Sequence, residues 1–308
     1  MSPSAHQILE TGNCAEVPNP YPGPLTKEQL LELVPGVDAM IVGADRIDDE
    51  VLAAGDSLRV VCKHGTGVDN IDIAAALARG IAVANVPQAN VNAVADIVVG
   101  ALIALARSLA PADASVRRGE WKRVIGTEVW GKTLGIVGFG AIGQAVARRA
   151  AGGFGMKVLA YDPYFNDEAA SSIGVEQRSI DELLTESDFV TVHCPLTADT
   201  LGLIGTAQLS KMKRSAYLAN LARGGVVDET ALASALRDRV ISGAALDVYE
   251  QEPLPRGHAF LELDNVLLLP HIASYTREAI DLMSTTAARN VVDYLHSGEC
   301  RNLITRPV

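Results

Sequence analysis

GIVGFGAIG, residues 135–143, places glycines at 138, 140 and 143 in the spacing GxGxxG. The apolar run 134–137 leads into it, and a helical pattern over 142–151 follows. In a strand–turn–helix setting each glycine has its own task. Gly138 permits the tight turn, Gly140 lets a pyrophosphate approach the backbone, and Gly143 lets helix and strand pack closely. Free N–H groups at the start of the helix, at Ala141 and Ile142, then face the phosphates. Glycine-rich turns are common, so the surroundings decide the reading. Asp162 ends the next apolar run, nineteen positions after Gly143, where a ribose-binding acid belongs. A carboxylate there accepts from both ribose hydroxyls and repels a 2′-phosphate. Pro163 and Tyr164 follow with no arginine, so NAD is expected rather than NADP.

Outward from this turn, short apolar runs recur at 134–137, 158–161, 189–193, 216–219, 244–248 and 266–269. Helical patterns lie between most of them, at 142–151, 179–186, 206–212 and 229–237. Ser179 with Glu182 has the form of a capping box, and Gly152 with Gly153 of a helix stop. Pro253, Pro255 and Gly257 make the last connection a loop. Strands alternating with helices predict a parallel sheet with right-handed crossovers, a doubly wound α/β fold of the Rossmann type. The first ninety residues repeat the alternation on a smaller scale, with strands at 39–42, 60–63 and 82–85 and helices at 26–33, 49–54 and 72–79. Prolines at 18, 20, 22 and 24 exclude helix and central strand there. A long helix is expected at 92–109 and a final one at 276–295.

The 308 residues suffice for two medium domains, and 48% hydrophobic with only 5% aromatic residues leaves alanine, valine and leucine to fill the cores. A formal net charge of −11 argues against a nucleic-acid or anionic-membrane partner. Cys14, Cys62, Cys194 and Cys300 are scattered, which suggests neither a disulfide framework nor a metal ribbon, and no metal site is expected. The start, MSPSAHQILE, has no basic segment followed by an apolar one. The longest apolar run, 93–106, is interrupted by Asp96 and is too short to span a bilayer. A cytoplasmic setting is the default expectation.

Three strand ends carry complementary chemistry. Arg223, in NLARGGVVDE (220–229), follows the run 216–219 at the edge where open α/β sheets bind ligands. Its guanidinium can grip a carboxylate or polarise a ketone, and Gly224 and Gly225 let the loop fold close to a ligand. Glu252 follows 244–248 and His271 follows 266–269. A histidine held by a carboxylate both donates and accepts protons. Glu250 competes with Glu252 for the carboxylate role. In the first ninety residues KHGTGVDNID (63–72) repeats the logic: a strand ends at Lys63, Gly65 and Gly67 free the backbone to form an anion nest, and Asp72 caps the next helix.

HGTGVDNID, GTEVWGKTLGIVGFGAIG, YDPY, LARGGVVDE, GAALDVYEQEP and LLPHI together resemble the D-isomer-specific 2-hydroxyacid dehydrogenases, in the phosphoglycerate dehydrogenase branch. The resemblance implies a Rossmann-type NAD-binding domain at 92–272 and a smaller flavodoxin-like substrate domain formed by 1–91 and 273–308, with a cleft between them. It assigns the substrate-orienting role to Arg223, the carboxylate to Glu252 and the acid/base role to His271. It places the substrate carboxylate on Gly65, Thr66 and Gly67, with Lys63 beside them. To the cofactor it assigns Cys194 and Pro195 under the adenosine, Ala222, and Asp247 at the nicotinamide carboxamide. The segment from about 107 to 132 resembles an arm that wraps a partner, so a homodimer is expected.

Departures from the family pattern are as informative. The chain begins almost in its first helix, so a strand of the small sheet is expected to be missing. Ala273 and Ser274 stand where glycines are frequent, and Lys63 stands where animal-type phosphoglycerate dehydrogenases carry an arginine. No regulatory extension beyond the last helix is expected. The resemblance implies hydride transfer between NAD and C2 of a small anionic D-2-hydroxy acid or 2-keto acid, with D-3-phosphoglycerate or a close analogue first. Glyoxylate or hydroxypyruvate reduction, or D-lactate oxidation, is the alternative. An NAD(H)-sensing scaffold of the co-repressor type is the rival from outside the enzymes.

Overall fold

The computed structural model describes residues 1–21 and 23–305. Pro22 of the proline-rich stretch and the last three residues of the expected 273–308 segment lie outside the described residues. The chain separates into two units, Met1–Asn90 joined by the chain from Tyr275 onward, and Val91–Ser274.

In the smaller unit β1 (Ala39–Val42), β2 (Val60–Lys63) and β3 (Ala82–Ala84) run parallel, with Met40 opposite Val61 and Val61 opposite Val83. One face is covered by a core that includes Leu30, Ile47, Val51, Leu52, Ala76 and Ile81. Helices Lys27–Leu33, Asp49–Ala54 and Ile73–Ala78 build this layer, capped by Thr26, Asp48 and Asp72. The helix Arg277–Ser297 packs on β1 and β2, with Met283, Ala287, Ala288 and Val291 buried.

In the larger unit seven strands form one parallel sheet. They are β4 (Thr133–Val137), β5 (Lys157–Tyr161), β6 (Val175–Gln177), β7 (Phe189–Val192), β8 (Tyr217–Asn220), β9 (Gly243–Leu246) and β10 (Val266–Leu268). Their order, β10-β9-β8-β7-β4-β5-β6, reverses direction between β4 and β7, so the turn after β4 opens at the switch point where such sheets bind ligands. Successive residues feed opposite cores, as the period of two requires. Val158, Ala160, Ala219 and Ala245 join one, beside the helix Val91–Ala106. Leu159, Leu218, Ala244 and Leu246 join the other, with Leu183, Leu184, Leu232 and Leu236 from flanking helices.

Several expectations change. The helix at 92–109 ends at Ala106. Ser108 turns left-handed at φ 50°, and a second helix, Leu109–Arg117, leaves at 63°. Gly152 and Gly153 do not stop the helix Ala141–Phe154, because Ala150 and Phe154 on either side pack into the core and hold the backbone helical. The stop comes at left-handed Gly155. β6 and the helix Asp167–Ile173 are additional elements. Among the described residues no strand precedes β1. The fourth place in the small sheet is taken by β11 (Leu303–Thr305), antiparallel to β3. The first helix, Pro3–Thr11, packs instead on Arg277–Ser297, so closely that a Cβ on Gly12 would lie 2.6 Å from a Val292 methyl. Among the described residues no single helix is long and apolar enough to cross a membrane.

Candidate active site

The turn after β4 is shaped by its glycines. Gly138 has φ 98°, and a Cβ there would fall 2.6 Å from the Cys194 nitrogen, so the loop after β7 lies directly on the turn. A Cβ on Gly143 would meet the Gly138 carbonyl oxygen at 2.3 Å. A Cβ on Gly140 would meet nothing within 4 Å. The packing is therefore tight beneath the turn and open above the second glycine, at the start of the helix that carries Ala141 and Ile142. This is the space a pyrophosphate needs. Asp162 follows β5 directly, with one carboxylate oxygen accepting from Phe139 N–H at 2.7 Å and the other from Tyr164 N–H at 2.8 Å. The acid both sits at the turn and holds its second residue in place.

The loop after β7 carries Cys194, whose thiol is held in its protonated form. Burial pushes the Cys194 thiol up to about 11. His193 beside it is largely enclosed. That burial pushes its imidazole down to about 3, and a ring nitrogen meets Thr191 Oγ1 at 3.0 Å.

After β8, Asn220 folds the arginine loop. It is 2% exposed. Its side-chain amide donates to the Arg223 carbonyl at 2.8 Å, and its oxygen accepts from Ala222 N–H at 3.2 Å. Arg223 Nη1 donates to the Ala222 carbonyl at 2.7 Å. The glycine beside it serves the protein chain rather than a ligand. A Cβ on Gly224 would lie 2.0 Å from the Tyr249 carbonyl oxygen and 2.6 Å from the Glu250 nitrogen. The arginine loop thus lies against the segment after β9 that carries the carboxylates.

On that segment, Glu252 Oε2 and His271 Nδ1 are 2.6 Å apart, and Glu252 Oε1 accepts from Tyr249 N–H at 3.0 Å. Burial alone would raise the Glu252 carboxyl. The hydrogen bonds from His271 and Tyr249, with the charges of His271 and Arg223, bring it below the ordinary value instead. Glu250 is exposed and turns its backbone N–H to Glu229. His271 has φ 54°, a conformation that costs a side-chain-bearing residue energy. Asp247 secures it. This fully buried carboxylate accepts from Ile272 N–H at 2.8 Å and Ala273 N–H at 2.7 Å, the two residues that follow the histidine. Burial raises the Asp247 carboxyl, against the pull of those two bonds.

In the smaller unit, Gly65 has φ 144° and its carbonyl accepts from Val86 N–H, while Thr66 Oγ1 donates to the Val86 carbonyl at 3.1 Å. The 65–67 loop is thus tied to the strand end beyond β3. Lys63 Nζ donates to the Gly43 carbonyl and to Asn70 Oδ1.

Two polar residues that shape these loops escape a reading of the sequence: Asn220, which folds the arginine loop, and Glu229, which accepts from Glu250 N–H. Only Asn220 offered a signal, as an amide residue closing an apolar run just before the arginine.

The larger unit is thus a dinucleotide-binding domain with a carboxylate–imidazole pair and an arginine loop at the carboxyl edge of its sheet. Comparison with known sequences gives the same class a family. The sequence model described as "D-isomer specific 2-hydroxyacid dehydrogenase, NAD binding domain" matches residues 99–273. A D-3-phosphoglycerate dehydrogenase from Methanocaldococcus jannaschii is 43% identical over 287 residues, covering 92% of this chain and 54% of that protein. A glyoxylate reductase from Korarchaeum cryptofilum is 43% identical over 292 residues, covering 92% of this chain and 88% of that one. The crystal structure of the TT0316 protein from Thermus thermophilus superposes with a TM-score of 0.89 at 38% identity, over 98% of this chain and 96% of that chain. The chain belongs to the D-isomer-specific 2-hydroxyacid dehydrogenase family. It spans about half the length of the phosphoglycerate dehydrogenase and most of the glyoxylate reductase.

Proposed function

We propose that this chain catalyses NAD-dependent hydride transfer at C2 of a small anionic D-2-hydroxy acid or its 2-keto partner. The observation that carries this reading is the 2.6 Å contact of His271 Nδ1 with Glu252, one loop away from Arg223, on the sheet edge that also bears the GxGxxG turn. Bound NAD supplies the hydride acceptor at its nicotinamide, and the Asp162 carboxylate favours NAD over NADP. Asp247, as the residue meeting the carboxamide, and Cys194, Pro195 and Ala222 as cofactor neighbours belong to the same reading.

The chain's own groups handle charge and proton. With Nδ1 engaged by Glu252, Nε2 is the His271 nitrogen available to substrate. In oxidation neutral His271 takes the hydroxyl proton there. In reduction imidazolium His271 returns it to the ketone oxygen, and Glu252 steadies the positive ring. Arg223 pairs with the substrate carboxylate and polarises the ketone. Gly65, Thr66 and Gly67, with Lys63 beside them, are the substrate-binding residues that the same reading takes from the smaller unit. D-3-phosphoglycerate or a close analogue is the first candidate. Glyoxylate or hydroxypyruvate is the second, since relatives of equal identity carry both names. D-lactate is the third.

The exposed apolar groups Trp121 (72%), Ile125 (99%) and Trp130 (67%) on the 107–132 segment support a homodimer. Four unpaired thiols suit a reducing, cytoplasmic compartment. The test is steady-state NADH oxidation with a panel of 2-keto acids, and NAD reduction with both enantiomers of each hydroxy acid. Turnover confined to D-enantiomers is expected, and His271→Ala should abolish it while NADH still binds. Tight NADH binding without turnover of any acid would overturn the reading in favour of a sensing scaffold.

A further inference from the structure

A second carboxylate–imidazole pair lies behind the first. Glu229 opens the helix Glu229–Arg237, and its side chain is 13% exposed. Its Oε2 lies 3.2 Å from His258 Nε2, on a ring 22% exposed. Its Oε1 accepts from Glu250 N–H at 2.7 Å. His258 Nδ1 accepts from Phe260 N–H at 3.3 Å, which leaves Nε2 as the ring nitrogen facing Glu229. The His258 ring also lies 4.7 Å from that of Phe260, a fully buried core residue. One carboxylate therefore grips both ends of the segment 250–258, which has no regular secondary structure and carries Glu252 near its start. The other side of the Glu250 peptide rests on Gly224, in the arginine loop.

We infer that Glu229 and His258 are positioning residues, forming a brace that fixes the 250–258 segment so that Glu252 meets His271 in one geometry. This rests on the reading that His271 transfers the proton. The physical reason is local. Glu252 is held by its own contacts with Tyr249 N–H and His271, and the backbone on either side of it needs an anchor in the body of the domain. Glu229, at the root of a helix packed into the core, is that anchor. Both brace residues act through the backbone of Glu250 and the course of the loop.

Two substitutions at one position separate positioning from mere stability. His258→Asn keeps an acceptor for Phe260 N–H and loses the donor to Glu229. His258→Gln keeps a donor that reaches Glu229. In the 308-residue chain, His258→Asn and Glu229→Ala are expected to lower kcat by about ten- to a hundredfold, up to the loss that a 1 Å misplacement produces. KM for the keto acid and the NADH dissociation constant should stay within about twofold and the solvent deuterium isotope effect on kcat should rise, because only proton transfer is slowed. His258→Gln should recover most of the rate. Independently of turnover, the ring ¹⁵N shifts of His271 should move in the Asn and Ala variants and return in the Gln variant. Unchanged His271 shifts in His258→Asn would overturn the brace. So would an equal loss of kcat in Asn and Gln that tracks thermal stability. Failure of the redox reading would look different: the wild type would fail to oxidise NADH with any keto acid, whatever the ¹⁵N shifts did.

Discussion

Glu252 and His271 meet at 2.6 Å through Oε2 and Nδ1, and the same carboxylate reaches back through Oε1 to Tyr249 N–H. The Glu252 carboxylate is thus held through both oxygens, and its ionised form is favoured in the folded chain. Its carboxyl lies below the ordinary value of 4.5, so the native state holds fewer protons there than the unfolded chain. The stabilisation is present above about pH 4.5 and is lost as pH falls through the folded value. Thermal melts from pH 7 downward should show the wild type losing stability relative to Glu252→Gln in that acid range. Parallel curves would show that Glu252 makes no such contribution.

Asn220→Ala should disturb the arginine loop from within. It removes the donor to the Arg223 carbonyl and the acceptor for Ala222 N–H, at a residue 2% exposed. A cost of about 1–3 kcal/mol is expected for the groups left unsatisfied. Chemical denaturation measures that cost. KM for the keto acid should rise more than kcat falls if Arg223 binds the carboxylate.

Asp247→Asn tests how a strained histidine is held. An asparagine oxygen can replace one acceptor, but its amide nitrogen then opposes the second N–H of the Ile272–Ala273 pair. The left-handed backbone at His271 loses part of its support. A fall in kcat of about tenfold is expected, with a measurable loss of thermal stability. Calorimetry and steady-state rates on the same preparation check both.

Asp162→Asn removes the charge that opposes a 2′-phosphate while keeping one acceptor for the Phe139 or Tyr164 N–H. The preference for NADH over NADPH, as a ratio of kcat/KM, should narrow by about tenfold, equivalent to about 1.4 kcal/mol. An unaltered ratio would place cofactor discrimination elsewhere.

The larger unit was legible because its strands are continuous apolar runs, and because charged residues at their carboxyl ends stand out against them. Arg223, Glu252 and His271 are visible for that reason. β6 was not, since Val175 is buried while Glu176 and Gln177 are exposed, and no apolar run marks it. β11 pairs with β3 across more than two hundred residues, a contact no local pattern encodes. The helix through Gly152 and Gly153 shows the opposite failure, a local stop signal overruled by packing of Ala150 and Phe154. The choice between Glu250 and Glu252 depended on the path of an irregular loop. That path is set by Gly224 and Glu229, whose partners lie more than twenty residues away.

The smaller unit is built from two distant parts of the chain, and this bears on its synthesis. The larger unit, Val91–Ser274, is continuous and holds both of its own cores, so it can fold as it leaves the ribosome. β1–β3 are made before the larger unit, yet the helix Arg277–Ser297 and β11 that finish their sheet are made after it. At about 5–20 residues per second that interval lasts roughly ten to forty seconds. During that time one face of a nascent parallel sheet stays bare, which makes the first ninety residues the stretch most exposed to chaperones and to aggregation.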